Sequence, residues 1–400
     1  MSGQNSSSPA TIRPIQNLRI TFWGVQGSCP IFPNPYGIQE YSRRLAVHTL
    51  AKAFDEMTQR AKGGLLRVED LLGGPLSQQT IEVYQQKIGL PDLPFYGGET
   101  TCVEVETSEG NILIFDAGSG IRRCSLGVVE KWRAKQDRVL HLFGSHEHLD
   151  HRIGLTFSRF CYVSPRPFTV NVYGSYPFLH ALDQHYGLFS RQTSDVTYVD
   201  DPVDYTQMSA VFRGFELHGQ SDAESPNKRF WEVRELNEPI TIGSTVVQPF
   251  EAYHAMTCCV GYRVEHNGKS FVFSTDHEFR RGNQTDPCQE RSVVAEARLR
   301  KQCMDADLAY MDGQYYLEEY LGKKGIGSFP PVPRVDWGHG CMEDAIERTI
   351  QCRIKRTLVG HHDPEREWTH RLEQDRYLAK LCEGKAYQIE LADSDRVIDL

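Results

Sequence analysis

The chain has 400 residues, 40% of them hydrophobic, and a formal net charge of −9; it can bury one large core or two ordinary ones. An acidic balance without a long basic run excludes an extended footprint for nucleic acid and leaves a small anionic substrate open. Eleven cysteines form an odd set with no C-x-x-C pair, as in a reduced cytoplasmic protein rather than a disulfide scaffold.

From the amino terminus, residues 1–17 are rich in Ser, Pro, Gln and Asn and read as a disordered tail with no apolar signal region. Leu18 to Trp23 alternates apolar residues and reads as a strand ending at Gly24-Val25-Gln26-Gly27-Ser28. Residues 31–94 have a helical pattern, with Leu45, Leu50, Phe54 and Met57 on one stripe, expected to pack into a core. A second helix runs between Ser77 as N-cap and Gly89 as stop. Cys102–Val105 and Ile112–Phe115 read as a hairpin. Further strands are expected at Arg138–Phe143, Phe168–Tyr173, Thr245–Phe250, Val260–Val264, Ser270–Ser274, Leu308–Met311 and Thr357–Val359. Residues 179–238, aromatic but weakly periodic, are expected to cover an active site or to form a dimer contact. Met342, Ala345, Ile346 and Ile350 make one helical stripe. No segment approaches the roughly 18 continuous apolar residues of a membrane span.

The densest chemistry is His146-Glu147-His148-Leu149-Asp150-His151, directly after the apolar run ending at Gly144. Four possible ligands in six residues at a strand end point to metal, and His146 and His148 can face one ion while Asp150 and His151 turn to a second. Imidazole nitrogens and carboxylate oxygens suit zinc first, with manganese or iron also compatible. A two-metal centre needs more ligands, including a carboxylate able to bridge ions about 3.5–4 Å apart. His254, Asp276 and His361 stand beside later strands and complete such a set. Asp116, after Ile112–Phe115, is better placed to orient a ligand imidazole.

This order of ligands, with Trp23-Gly24-Val25-Gln26-Gly27-Ser28, Tyr96-Gly97-Gly98-Glu99-Thr100-Thr101-Cys102, Asp116-Ala117-Gly118, Phe273-Ser274-Thr275-Asp276 and Gly338-His339, resembles the metallo-β-lactamase superfamily, on its phosphodiesterase and ribonuclease Z side. The resemblance implies an α/β fold, a four-layer αββα sandwich over 18–400, interrupted by the insertions at about 31–94 and 179–238. It implies His146, His148 and His254 on one metal, Asp150, His151 and His361 on the other, and Asp276 between them. It further implies a dinuclear metal-dependent hydrolase that cleaves a small phosphodiester, a cyclic nucleotide or short nucleotide, by a metal-bridging hydroxide. Asp150 would orient that hydroxide. His339 matches a histidine that stabilises the scissile phosphate or protonates the leaving group, and His362 is a second candidate proton donor. Where ribonuclease Z has a His-Glu-Ala-Thr segment, this chain has Met311-Asp312-Gly313-Gln314-Tyr315, which speaks against pre-tRNA cleavage. Thioester or lactam hydrolysis and a di-iron oxygen or redox sensor are the alternatives; a homodimer is left open, and no membrane association is expected. Arg263, Arg280 and Arg281 are weighed as phosphate contacts against solvated surface charge.

Overall fold

The structure, a computed structural model, describes residues 14–31, 35–60, 67–89, 96–133, 135, 137–160, 168–186, 208–216, 232–236, 238–281 and 286–400. The chain divides into two compact units, 32–95 and the remainder. Most of the expected amino-terminal tail therefore lies outside the described residues.

The smaller unit is helical: α1 (Pro35–Arg60), α2 (Val68–Leu72) and α3 (Gln78–Ile88). The Ser77 hydroxyl accepts from the Thr80 amide at 3.2 Å, and Gly89 turns the chain at φ +77°. The apolar stripe on α1 differs from the expectation, because Leu50 and Phe54 are 57% and 66% exposed. The physical reason is that α1 and α3 meet through polar groups. Gln85 donates to Thr49 at 3.0 Å, Tyr84 donates to Glu56 at 3.1 Å, and Lys87 pairs with Glu56 at 2.9 Å.

The larger unit contains two mixed sheets. The first has strand order β15-β1-β2-β3-β4-β5-β6-β7. Its strands are β1 (Leu18–Gly24), β2 (Cys102–Thr107), β3 (Ile112–Phe115), β4 (Val139–Phe143), β5 (Phe168–Ser175), β6 (Met208–Glu216), β7 (Glu232–Glu235) and β15 (Arg396–Asp399). The second has order β14-β13-β12-β11-β10-β9-β8. It comprises β8 (Ile240–Ile242), β9 (Thr245–His254), β10 (Thr257–His266), β11 (Lys269–Ser274), β12 (Leu308–Asp312), β13 (Arg356–Gly360) and β14 (Gln388–Leu391).

Alternation along each strand sorts the side chains into three packed layers. Phe143, Phe271, Phe273 and Tyr310 point between the sheets, where they join Phe22, Phe115 and Tyr262. Leu140, Leu142, Val170 and Val172 point outward, onto α4 (Ile121–Arg133) and α5 (Tyr176–Tyr186) through Val128, Trp132, Phe178 and Leu182. Val272, Ala309, Met311 and Val359 face the opposite way, onto α6 (Pro287–Cys303), α8 (Met342–Gln351) and α9 (Trp368–Cys382) through Leu299, Ala345 and Leu378. A short helix, α7 (Leu317–Tyr320), follows β12. Helix, sheet, sheet and helix layers make the αββα sandwich.

Within the stretch 179–238, β6 and β7 continue the first sheet in parallel register beyond β5; residues 187–207, 217–231 and 237 lie outside the described residues. His254, expected beside a later strand, closes β9 and precedes β10, with which β9 pairs as a hairpin, Thr257 opposite His254. Below the site the sheets are tied together: Tyr262 Oη donates to the Gly144 carbonyl at 2.6 Å, and the Val260 amide to the Ser145 carbonyl at 2.9 Å.

Candidate metal centre

Every residue of the centre comes from one edge of the sandwich. β3 and β4 run parallel, as do β11, β12 and β13, so their carboxyl ends share that edge, the usual place for sites in parallel sheets. β3 delivers Asp116, β4 the turn from Ser145 to His151, β9 His254, β11 Asp276, β12 Asp312 and β13 His361. Asp116, Asp276 and His361 have φ of +61°, +50° and +53°. Left-handed backbone is uncommon for such residues and is kept at functional sites where the surroundings enforce it.

Donor atoms converge in two sets beside Asp276, and a third group of Asp276, Asp312, His339 and His361 overlaps the second. On one side His146 Nε2 and His254 Nε2 lie 3.5 and 3.7 Å from Asp276 Oδ2, and His148 Nδ1 lies 3.1 Å from His254 Nε2. On the other, His361 Nε2 and His151 Nε2 lie 3.1 and 3.4 Å from Asp276 Oδ1. Asp150 Oδ2 is 3.2 Å from His151 Nε2 and 3.4 Å from His361 Nε2. Each carboxylate oxygen of Asp276 thus faces a different set.

The tautomers test whether a cation fits. The Gly338 carbonyl can only accept, so His254 Nδ1 donates to it at 2.7 Å and Nε2 carries the lone pair. His151 Nδ1 bonds Asp116 Oδ2 at 2.7 Å. The Ser145 hydroxyl donates to the same oxygen at 2.8 Å and so accepts from His146 Nδ1 at 3.0 Å. His146 Nε2 is buried with no hydrogen-bond partner. Lone pairs of several imidazoles therefore point at common centres beside two buried carboxylates, and separations of 3.1–3.7 Å match the edge of about 3.4 Å expected for ligands roughly 2.1 Å from a tetrahedral ion. Divalent cations fit this donor set. Burial outweighs the opposing charge of Asp276 at two of the imidazoles, pushing His254 down to about 4 and His146 well below its ordinary value. For His151 burial acts downward as well, but Asp150, Asp276 and Asp116 outweigh it and raise the ring well above its ordinary range.

Close approach of backbone sets the rest. Gly338 has φ +88°, and a Cβ there would lie 1.8 Å from His254 Nδ1; a Cβ on Gly27 would lie 2.5 Å from His361 Nδ1. The Ser28 amide donates to Asp150 Oδ2 at 2.9 Å. Glu278 fixes the loop before His339, accepting from the Gly338 amide at 2.8 Å, the Asp336 amide at 2.9 Å and Tyr320 Oη at 2.5 Å.

The structure brings together His146, His148, Asp150, His151, His254, Asp276 and His361, with Asp116 behind them and His339 stacked on His361 at 4.8 Å. It does not bring in His362. That ring donates through Nε2 to the Ala392 carbonyl at 2.7 Å, and burial pushes it down to about 3; His362 is left out of the proton-donating groups. Arg280 is paired with Asp336 at 2.6 Å, Arg263 with Glu265 at 2.7 Å and Arg281 with Asp344, so all three serve ion pairs. Sequence reasoning missed Asp312, whose Oδ2 lies 3.1 Å from His339 Nδ1. Its signal was available: an aspartate closing an apolar strand, like Asp116 and Asp276. Burial lowers His339, but the hydrogen bond and charge of Asp312 prevail and raise it to about 9.

Two facing mixed sheets, outer helices and this edge cluster define a metallo-β-lactamase-type fold. A model described as the beta-lactamase superfamily domain matches residues 111–362, and the chain belongs to that superfamily. Zn(2+)-bound PqqB from Methylobacterium extorquens is similar in structure, with 14% identity, 96% of this chain and 100% of the other covered, and a TM-score of 0.50. A diphosphatase of the PhnP family aligns at 14% identity over 96% and 97% of the two chains, TM-score 0.48. A long-form RNase Z from yeast aligns at 12% identity over 96% of this chain and 41% of the other, TM-score 0.46. No curated protein matches the sequence significantly.

Proposed function

We propose that the chain is a dinuclear metal-dependent hydrolase that cleaves a small phosphodiester. The observation that carries this reading is Asp276, whose two oxygens face two separate imidazole sets. His146, His148 and His254 would hold one ion, and Asp150, His151 and His361 the other. Two divalent ions, zinc foremost, would there supply an activated water at neutral pH and charge withdrawal from a phosphoryl oxygen.

The chain's own groups do the remainder. Asp116 holds His151 directly and His146 through Ser145, so both rings keep one tautomer. Asp150, fixed by the Ser28 amide, is placed to orient the attacking water. Asp312 occupies Nδ1 of His339, which frees Nε2 to give a proton to the departing alkoxide or to hold a phosphoryl oxygen. The net charge of −9 and the ion-paired arginines support a small diester over a long RNA.

Elemental mass spectrometry of the purified protein, paired with hydrolysis of bis(p-nitrophenyl) phosphate before and after chelation, tests the proposal. About two metal ions per chain and chelator-sensitive turnover are expected, with both lost in D276A. Full turnover by metal-depleted D276A would refute the scheme.

A further inference from the structure

Three of the exposed large apolar side chains are sequence neighbours of the metal centre. Leu149, 50% exposed, separates His148 from Asp150; Met256, 83% exposed, lies in the turn after His254; Trp337, 51% exposed, precedes Gly338 and His339. Single exposed apolar residues need no explanation, but these three each stand within two residues of a histidine of the cluster.

Trp337 differs from a free surface indole because its loop is built to hold it still. Its amide donates to the Arg334 carbonyl at 3.2 Å, and the amide of Arg334 donates to the Tyr320 carbonyl at 2.9 Å. On its two sides, Asp336 is locked by Arg280 at 2.6 Å and by Glu278, and Gly338 is locked by Glu278 and His254. The Arg334 guanidinium, itself buried, lies 5.6 Å from the indole centroid. It is pinned by the Glu319 carbonyl at 2.8 Å, so it supports the ring as a cation–π partner. A large aromatic surface is thus held in place at no cost of ordering on binding, one residue from the backbone carbonyl that orients His254.

We propose that Trp337 is a stacking platform for an aromatic ring of the substrate, with Met256 and Leu149 completing a rim, so that the preferred diesters carry a nucleobase or aryl group on one alcohol. This rests on the diesterase reading and narrows it to nucleotide-like substrates. Base stacking is sequence-tolerant because every base has a π-face, so the platform selects for an aromatic group rather than for one particular base.

The test uses the full-length zinc-loaded protein as wild type, W337A and W337F. Calorimetry measures binding of thymidine 5′-monophosphate and of methyl phosphate. Kinetics measure kcat and KM for the p-nitrophenyl ester of thymidine 5′-monophosphate and for p-nitrophenyl methyl phosphate. The wild type is expected to bind the nucleotide about tenfold more tightly than methyl phosphate. W337A should lose that preference, with the loss carried by KM of the nucleoside ester, and W337F should keep most of it. Equal wild-type affinity for the two ligands, or a preference that survives W337A, overturns the platform. The two proposals fail separately. Nucleotide preference in binding without turnover of either ester sinks the diesterase and leaves the platform standing, whereas turnover of both esters with no effect of Trp337 does the reverse.

Discussion

Asp116, Asp276 and His361 each leave a strand on left-handed backbone, a conformation costing of order 1–3 kcal/mol per residue. At each one the chain turns sharply at the sheet edge, where the donor atoms gather. Residue types announced much of this cluster: four candidate ligands crowd into 146–151, and His254, Asp276 and His361 fall beside apolar strands. Backbone sign did not show, since no residue type encodes it outside glycine. Nor did the choice between adjacent histidines. His361 and His362 look alike in sequence, yet one ring meets Asp276 and the other the Ala392 carbonyl. The Asp312–His339 pair gives the prediction at this scale. D312N removes the charge that holds His339 and permits the wrong tautomer. Hydrolysis of bis(p-nitrophenyl) phosphate should fall about a hundredfold, while elemental analysis still finds two metals. Loss of one metal instead would make Asp312 a ligand.

Among the elements, α6 and α8 are joined beneath the site by buried charge. Arg348 makes a two-pronged contact with Glu296, its Nη2 2.7 Å from Oε2, and His277 Nε2 donates to the same oxygen at 2.9 Å. His277 Nδ1 accepts from the Tyr253 amide at 3.1 Å, so the network reaches β9 one residue before His254. R348M removes one of the two guanidinium partners of the buried Glu296 carboxylate, Arg300 at 2.6 Å being the other, and should cost about 1.5–3 kcal/mol in urea unfolding. The double variant E296L/R348M should recover part of that loss, because it removes both charges but leaves the His277 donor unpaired. Strands written as short continuous apolar runs, such as β11 and β12, were legible to within a residue or two. β8 and β15, three and four residues long, were not, because a short strand is defined by its neighbour rather than by its own pattern. The α1 stripe misled for the opposite reason: a periodic apolar face was visible in sequence, but α1 meets α3 through Thr49 and Glu56 and leaves Leu50 and Phe54 exposed.

For the molecule as a whole, the centre links the two sheets, with His146, His148, Asp150 and His151 from one and His254, Asp276 and His361 from the other. Ions bound there would clamp the sandwich at one edge. A ligand that binds only the folded state stabilises it by mass action, so chelation should lower the midpoint of thermal unfolding by several degrees and added zinc should restore it. In D276A the midpoint should respond little to either. Among the described residues no helix is long and apolar enough to cross a membrane.

The spread of the candidate ligands along the chain also sets an order of events during synthesis. The cluster at 146–151 leaves the ribosome first, while His361 follows 210 residues after His151. At about 5–20 residues per second that gap lasts roughly 10–40 s. At the start of that interval a nascent chain displays three imidazoles and a carboxylate with neither His254 nor Asp276 beside them, and until its end no final histidine closes the set. Metal captured in that window would be held by a half-built, open site, so faithful loading depends on how weakly the early cluster binds by itself.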